Sequence, residues 1–354
     1  MIGKRLIINW GDGTTLNVSS DLHAIQKDYT IQQNPYFIQI GGDIDQLYWI
    51  DMPYNYTRLY GDLTKLLLPS TLYAFHMYFN NFTGDISHVL MNLPSGIRIF
   101  HIENNQLTGD VTNFDPSRLL VFDDCHLANN YLTGDISNWK FHNPFPAVQP
   151  STEGHITLKQ YTNTLTGNLT NWTLCSGMSM LTITNFVADI TNWVIPSTLC
   201  VFRGDSSGIT GNITNFILPT VVRQNEGFSW SFNNAQVSGD LSGWIIPSGI
   251  GVPGAGFLTM SFENCNLSKL PGGAFDNLAT YDFLNNQCNS TEIDRILALI
   301  DAYFTSGMAP KTSCTYNLSG TRMGIPSSTG LSHITSIISK YITAGKIATI
   351  IVKS

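Results

Sequence analysis

Three histidines stand in line in this sequence. His76, His101 and His126 each precede a Gly-Asp pair by the same count, eight residues before Gly84, Gly109 and Gly134. Residues at one place in a repeated strand stack into a column, with neighbouring strands about 4.8 Å apart. An imidazole column can hold a ligand, respond to pH near neutrality, or bind a metal. Three nitrogens spaced by whole strands reach too far to share one ion, because a Zn–N bond is only about 2.0–2.1 Å. No metal is therefore expected. Duplication of a unit that carries one exposed residue would give the same column with no function attached. By the same count Lys159 continues the column, and Arg203 occupies it later. Strand alternation adds Tyr78, Glu103 and Tyr161 to the same face, with Asp124 one pleat away. The candidate binding stripe is His76, His101, His126, Tyr78, Glu103, Lys159, Tyr161 and Arg203.

Nothing else in the chain reads as chemistry. There is no GxSxG, HExxH or P-loop motif, and no GxGxxG after a strand. The aspartates are phased with the repeats, so turn formation is their first role. No acid pair stands out of phase as glycoside hydrolysis would need. A non-enzyme without cofactor is expected. The six cysteines form no CxxC pair and fall where a repeat is normally apolar. They read as buried thiols, with one Cys288–Cys314 bridge as the alternative.

The elements that position the stripe come from a repeat. Asn105-Gln-Leu-Thr-Gly-Asp-Val111 has a counterpart before it, Asn80-Asn-Phe-Thr-Gly-Asp-Ile86, and another after it, Asn130-Tyr-Leu-Thr-Gly-Asp-Ile136. The steps from Gly84 to Gly109 and from Gly109 to Gly134 are each 25 residues, and across the chain the spacing runs from 19 to 33. A fixed period of this size means one unit stacked on copies of itself. The longest step holds Pro144, Pro146 and Pro150 and reads as a bulging loop. Each Gly-Asp step reads as a hinge, with a strand upstream of it. Asn80, Asn105, Asn130 and Asn163 can satisfy turn backbone that would otherwise be buried unpaired. An aromatic follows each step, at Phe114, Trp139, Trp172, Trp193, Phe216 and Trp244. This column packs the core on the convex side; exposed tryptophans would instead suit sugar binding.

Leu72-Tyr-Ala-Phe75-His-Met77-Tyr-Phe-Asn80-Asn-Phe82 and Ile97-Arg-Ile-Phe100-His-Ile102-Glu-Asn-Asn105-Gln-Leu107 fit L-x-x-L-x-L-x-x-N-x-L. This resembles the leucine-rich repeat family, and the trailing Leu-Thr-Gly-Asp-Ile resembles the step of its plant-type subclass. The resemblance spans roughly residues 42 to 290 and implies a mostly β repeat solenoid of about nine or ten units. Such a fold has right-handed connections, a concave parallel β-sheet, and short turns or 3₁₀ pieces on its convex side. Ile8-Asn-Trp-Gly-Asp-Gly-Thr14 resembles the WGDGT signature of PKD-like modules of phage and bacterial surface proteins, over about 40 residues. Strands are expected at 5–10, 14–18 and 36–40.

At the other end, Asn289-Ser-Thr-Glu292 is an N-cap with a Glu three residues on. Ile293, Ile296, Leu297, Ile300 and Phe304 then follow helical spacing to Gly307. A second helix is expected over 331–341 with Ile334, Ile337 and Ile338 inward, then a strand over 347–352. The order of this tail loosely resembles the end of repeat proteins from phage and Bacteroidetes-type surfaces. The organisation expected is a β N-terminal cap (1–41), a solenoid (42–288) and an α/β C-terminal cap (289–354).

Composition bounds the function. Charged residues make up 12% of the 354, with a net charge of −7 and no basic run, which disfavours nucleic acid. No stretch approaches 18 apolar residues, so no transmembrane segment is expected. The first ten residues lack the long apolar run and the cleavage site of a signal peptide. Together these readings point to a non-catalytic binding module in a phage virion appendage or bacterial surface adhesin. It would recognise a protein or glycan receptor on a cell surface through the concave face, and be located on a virion or outside the cell. The alternative is a structural protein that assembles with itself or decorates a virion or extracellular filament.

Overall fold

The computed structural model describes residues 6–9, 13–18, 39–51, 58–119, 124–141, 154–157, 163–175, 177–184, 186–205, 208–219, 227–247 and 258–354. Within them the chain is mostly β, with parallel sheets and few helices. A twelve-stranded parallel sheet takes its strands in chain order, from Trp49–Asp51, Ala74–His76, Ile99–His101 and Asp124–His126 through to Cys314–Leu318 and Ala348–Val352.

A second row of strands corrects the expectation of a hinge at the Gly-Asp step. Tyr60–Asp62, Asn81–Asp85, Gln106–Asp110, Tyr131–Asp135 and Thr164–Thr166 form a five-stranded parallel sheet. Val187–Asp189, Gly208–Asn212, Gln236–Asp240 and Asn266–Lys269 form a four-stranded one. The physical reason is period-two burial: Leu107 is buried while Gln106 and Thr108 are exposed. The glycine still has a local task. Gly109 has φ 136°, and a Cβ there would lie 2.8 Å from Asp85 Oδ1 and 3.0 Å from the Ser87 nitrogen. Only glycine lets the strands approach so closely.

Two hydrogen-bonded columns hold the repeats together. The buried Asn130 accepts from the Leu107 N–H at 3.1 Å and donates to the Ile102 carbonyl at 2.9 Å. Asn105 and Asn163 repeat this pattern, each bonding backbone of the preceding unit. The asparagine role expected from the sequence is thus borne out. The second column runs through the Gly-Asp step. Asp110 Oδ1 accepts from the Thr112 N–H at 2.8 Å, and the Thr112 hydroxyl accepts from the Asp135 N–H at 2.9 Å. Asp135 then accepts from Ser137, whose hydroxyl accepts from the Asn168 N–H at 2.7 Å. The hydroxyl of the second residue onward holds the carboxyls of Asp62, Asp85, Asp110, Asp135 and Asp189 below their ordinary value. After Asp240 the column closes on an ion pair, Lys269 Nζ to Asp240 Oδ2 at 2.8 Å.

Trp139, Trp172, Trp193 and Trp244 are buried. Each indole donates to a carbonyl of the preceding unit: Val111, Ile136, Thr170 and Thr214. The connections that follow the second row of strands include a five-residue helix at Ser87–Met91 and 3₁₀ turns at Pro116–Arg118 and Leu169–Asn171, the short pieces expected there. All six cysteines are buried and unbridged, which excludes the Cys288–Cys314 bridge.

Leu6–Asn9 pairs antiparallel with Thr15–Val18 and with Gln39–Gly42. Trp10, Gly11 and Asp12 of the PKD-like signature lie outside the described residues. At the C-terminus, helix Ser290–Thr305 is capped by Asn289, which accepts from the Glu292 N–H at 2.9 Å. The second helix, Ser328–Thr343, starts earlier than expected because Ser327 caps it. Ile337 is buried but Ile338 is 36% exposed, since Tyr341 takes the next inward place after Ile334 and Ile337. Strand Cys314–Leu318 was not foreseen; it and Ala348–Val352 extend the large sheet.

Candidate functional site

The three histidines are neighbours. His76 pairs in register with His101, and His101 with His126. Strand alternation turns Phe75, Phe100 and Cys125 into the core and leaves the histidines half-buried on the opposite face. Their rings stack, with centroids 4.7 Å and 4.3 Å apart and planes tilted by 14° at each step. The spacing is that of parallel strands, so the column follows directly from in-register pairing.

Acidic groups flank both ends of the stack. Asp51 Oδ1 lies 3.6 Å from His76 Nδ1, and Glu103 Oε1 lies 3.7 Å from His126 Nδ1. Asp51 was missed by the sequence reading, although one 25-residue step back from His76 lands on it. Tyr78 stands edge-on to His101 at 6.2 Å, and its hydroxyl pKa is raised by burial and by the charges of Asp51 and Glu103. The expected positions of Tyr78 and Glu103 beside the stack therefore hold.

Beyond His126 the column differs from the sequence count. Thr157 pairs with His126, so the place given to Lys159 belongs to Thr157. Counting back from Gly167 fails because strand pairing sets the register, and the step containing the proline loop has a different length. Lys159 and Tyr161 lie outside the described residues. Arg203 is in the column, paired with Thr182 on one side and Ser231 on the other, and it is exposed.

Two further groups on this side of the molecule were not foreseen. Tyr48 stacks on Tyr73 at 4.8 Å, the Arg98 guanidinium lies 5.4 Å from the Tyr73 ring, and Trp49 meets His76 edge-on at 5.2 Å. Tyr48 and Trp49 are 58% and 47% exposed, so they form an open aromatic platform at one end of the stripe. The signal was again the 25-residue step, here joining Tyr48, Tyr73 and Arg98. Farther along, burial and then the charge of Asp282 push the Glu263 carboxyl up. Glu263 and Asp282 are an acid pair that the repeat phasing hid, because Asp282 ends one strand and Glu263 sits in the turn just after the neighbouring one.

No family profile and no curated protein matches the chain. Among solved structures, a plant ice-binding protein is similar at 16% identity and a TM-score of 0.34, over 62% of this chain and 74% of that one. The Arabidopsis receptor kinase HAESA, in complex with the peptide hormone IDA and the co-receptor SERK1, is similar at 13% identity and a TM-score of 0.39. That match covers 83% of this chain and 52% of the other, so this chain spans about half of the receptor chain. No helix among the described residues is long and apolar enough to cross a membrane.

Proposed function

We propose that the chain is a leucine-rich-repeat-type solenoid that recognises a protein or glycan on a cell surface without catalysis. The twelve-stranded sheet is its concave face, residues 42–288 are the repeat body, and 1–41 and 289–354 cap it. It serves as a receptor-binding module of a virion appendage or bacterial surface adhesin. One observation carries this reading: a polar column, in register from Asp51 through the histidines to Arg203, ends beside an open aromatic platform. Rigid aromatic and hydrogen-bonding groups presented on one sheet face suit recognition at low conformational cost.

The test is binding of the fluorescently labelled full chain to a panel of bacterial cells and to an array of surface polysaccharides. Wild type is compared with the triple variant His76→Ala, His101→Ala, His126→Ala. Saturable binding, weakened at least tenfold in the triple variant, is expected. Failure to bind any cell or polysaccharide, or equal binding by the triple variant, overturns the reading.

Self-assembly is the second reading. It is favoured by the strand Ala348–Val352, which has a single strand partner among the described residues, and by the exposed Ile351 within it and Ile342 and Ile347 beside it. Such an edge can template pairing with another chain. Concentration-dependent filaments that persist in the triple-histidine variant would support it.

A further inference from the structure

We propose that His101, His126 and Glu103 form a binding site for a divalent transition-metal ion of the zinc class. The site stands on local geometry alone and does not depend on the recognition reading.

A donor set of two imidazoles and a carboxylate is one that zinc accepts. Here the ligand atoms of the three side chains all lie within 4.8 Å of one another. The closest pair is nearly at chelating distance. His126 Nδ1 and Glu103 Oε1 are 3.7 Å apart, too far for a hydrogen bond. Two donors on one tetrahedral ion at about 2.0–2.1 Å are about 3.3 Å from each other. Closing the pair by about 0.4 Å is within small side-chain rotations. The parallel register supplies the third donor, because it places His101 directly beside His126 with ring centroids 4.3 Å apart.

Burial points the same way. The Glu103 side chain is 14% exposed, and its Oε2 is buried without a hydrogen-bond partner. An orphaned carboxylate oxygen is costly, and an ion is one of the partners that resolves it. His76 does not join the donor set, since its Nδ1 faces Asp51 at 3.6 Å on the other side of the stack. The three-histidine site ruled out by strand spacing thus gives way to two histidines bridged by a carboxylate from the same sheet face. Three protein donors leave one tetrahedral position for water or an anionic group. Imidazole donors select zinc, copper or nickel over calcium and magnesium.

The full chain, stripped with a chelator, is titrated with zinc chloride by calorimetry. One equivalent is expected to bind, and calcium chloride to give no heat. Glu103→Gln and His126→Ala should each weaken zinc binding at least tenfold, while His88→Ala, in the short helix Ser87–Met91 away from the stack, stays within threefold of wild type. Cobalt(II) gives a second readout independent of affinity. Wild type should show the visible absorption of a four-coordinate nitrogen/oxygen site, and Glu103→Gln should lose it while keeping the melting temperature of the metal-free protein. Absence of zinc heat in wild type overturns the proposal. So does binding that Glu103→Gln and His126→Ala leave unchanged, because the ion then sits elsewhere.

Discussion

Replacing Asn130 by alanine tests whether the asparagine column holds the repeats together. Asn130 is fully buried; its side chain accepts from the Leu107 N–H at 3.1 Å and donates to the Ile102 carbonyl at 2.9 Å. Alanine leaves the Leu107 N–H unpaired in a dry interior and removes one of the two side-chain amides that donate to the Ile102 carbonyl, which keeps the one from Asn105 at 3.0 Å. The orphaned N–H costs about 1–3 kcal/mol and the lost bond to Ile102 about 0.5–1.5 kcal/mol more, so the loss is about 2–4 kcal/mol. That is a large part of the whole stability of an ordinary domain, about 5–15 kcal/mol. With an m-value of about 2–3 kcal/mol per molar urea, the unfolding midpoint falls by about 1–2 M. Hydrogen exchange reports the same event locally: the Leu107 amide should lose protection while amides two repeats away keep theirs. Asn130→Asp separates the two halves of the side chain. It keeps an acceptor for Leu107 but sets a carboxylate against the Ile102 and Leu127 carbonyls. It should therefore be at least as destabilising as alanine at neutral pH and recover in part on acidification. A midpoint shift under about 0.3 M for Asn130→Ala, at unchanged m-value, would refute the reasoning.

Gly109→Ala should cost about 1–3 kcal/mol, because the residue is held at positive φ against Asp85 and Ser87, whereas Gly243→Ala, with nothing within 4 Å, should be near neutral in the same urea titration. The melting temperature should fall on acidification. The Gly-Asp carboxyls are depressed in the folded state, so their contribution is present above the ordinary carboxylate range and is lost as pH drops through their folded values. For Asp240 that value is about 2, and Asp240→Asn should flatten the last part of the acid profile. Native protein should leave all six thiols unreactive towards a disulfide reagent and expose six on denaturation; Cys265, Cys288 and Cys314 are pushed up to about 12 by burial.

The sequence makes the repeat legible because one unit cannot bury its own apolar face, and the residues that solve this recur in register. Asn105, Gly109, Leu107 and Trp139 are such residues, and each takes the role its chemistry suggests. What escapes notice is set by pairing between distant chain segments. The second row of strands was hidden because Gly-Asp reads as a turn locally, although burial alternates through it. The place of Thr157 beside His126 is fixed by the neighbouring strand rather than by a count along the loop. Glu103 could be placed on the face from alternation alone. Its approach to His126 could not, because that needs the side-chain geometry.

The hydroxyl column has an implication for how chains of this kind change over generations. Every joint between Asp85 and Asn168 has the same parts: an acidic side chain, a hydroxyl two residues on, and the amide of the following unit. A joint of this sort is indifferent to how many others precede it. Removing residues 85–109, one period, would bring Gly84 onto Asp110 with every partner type in place. Length is then a quantity that recombination can tune in whole units, while the ion pair of Lys269 with Asp240 marks where the series stops. The face that carries the histidines can thus be lengthened or shortened without redesign of the parts that hold it.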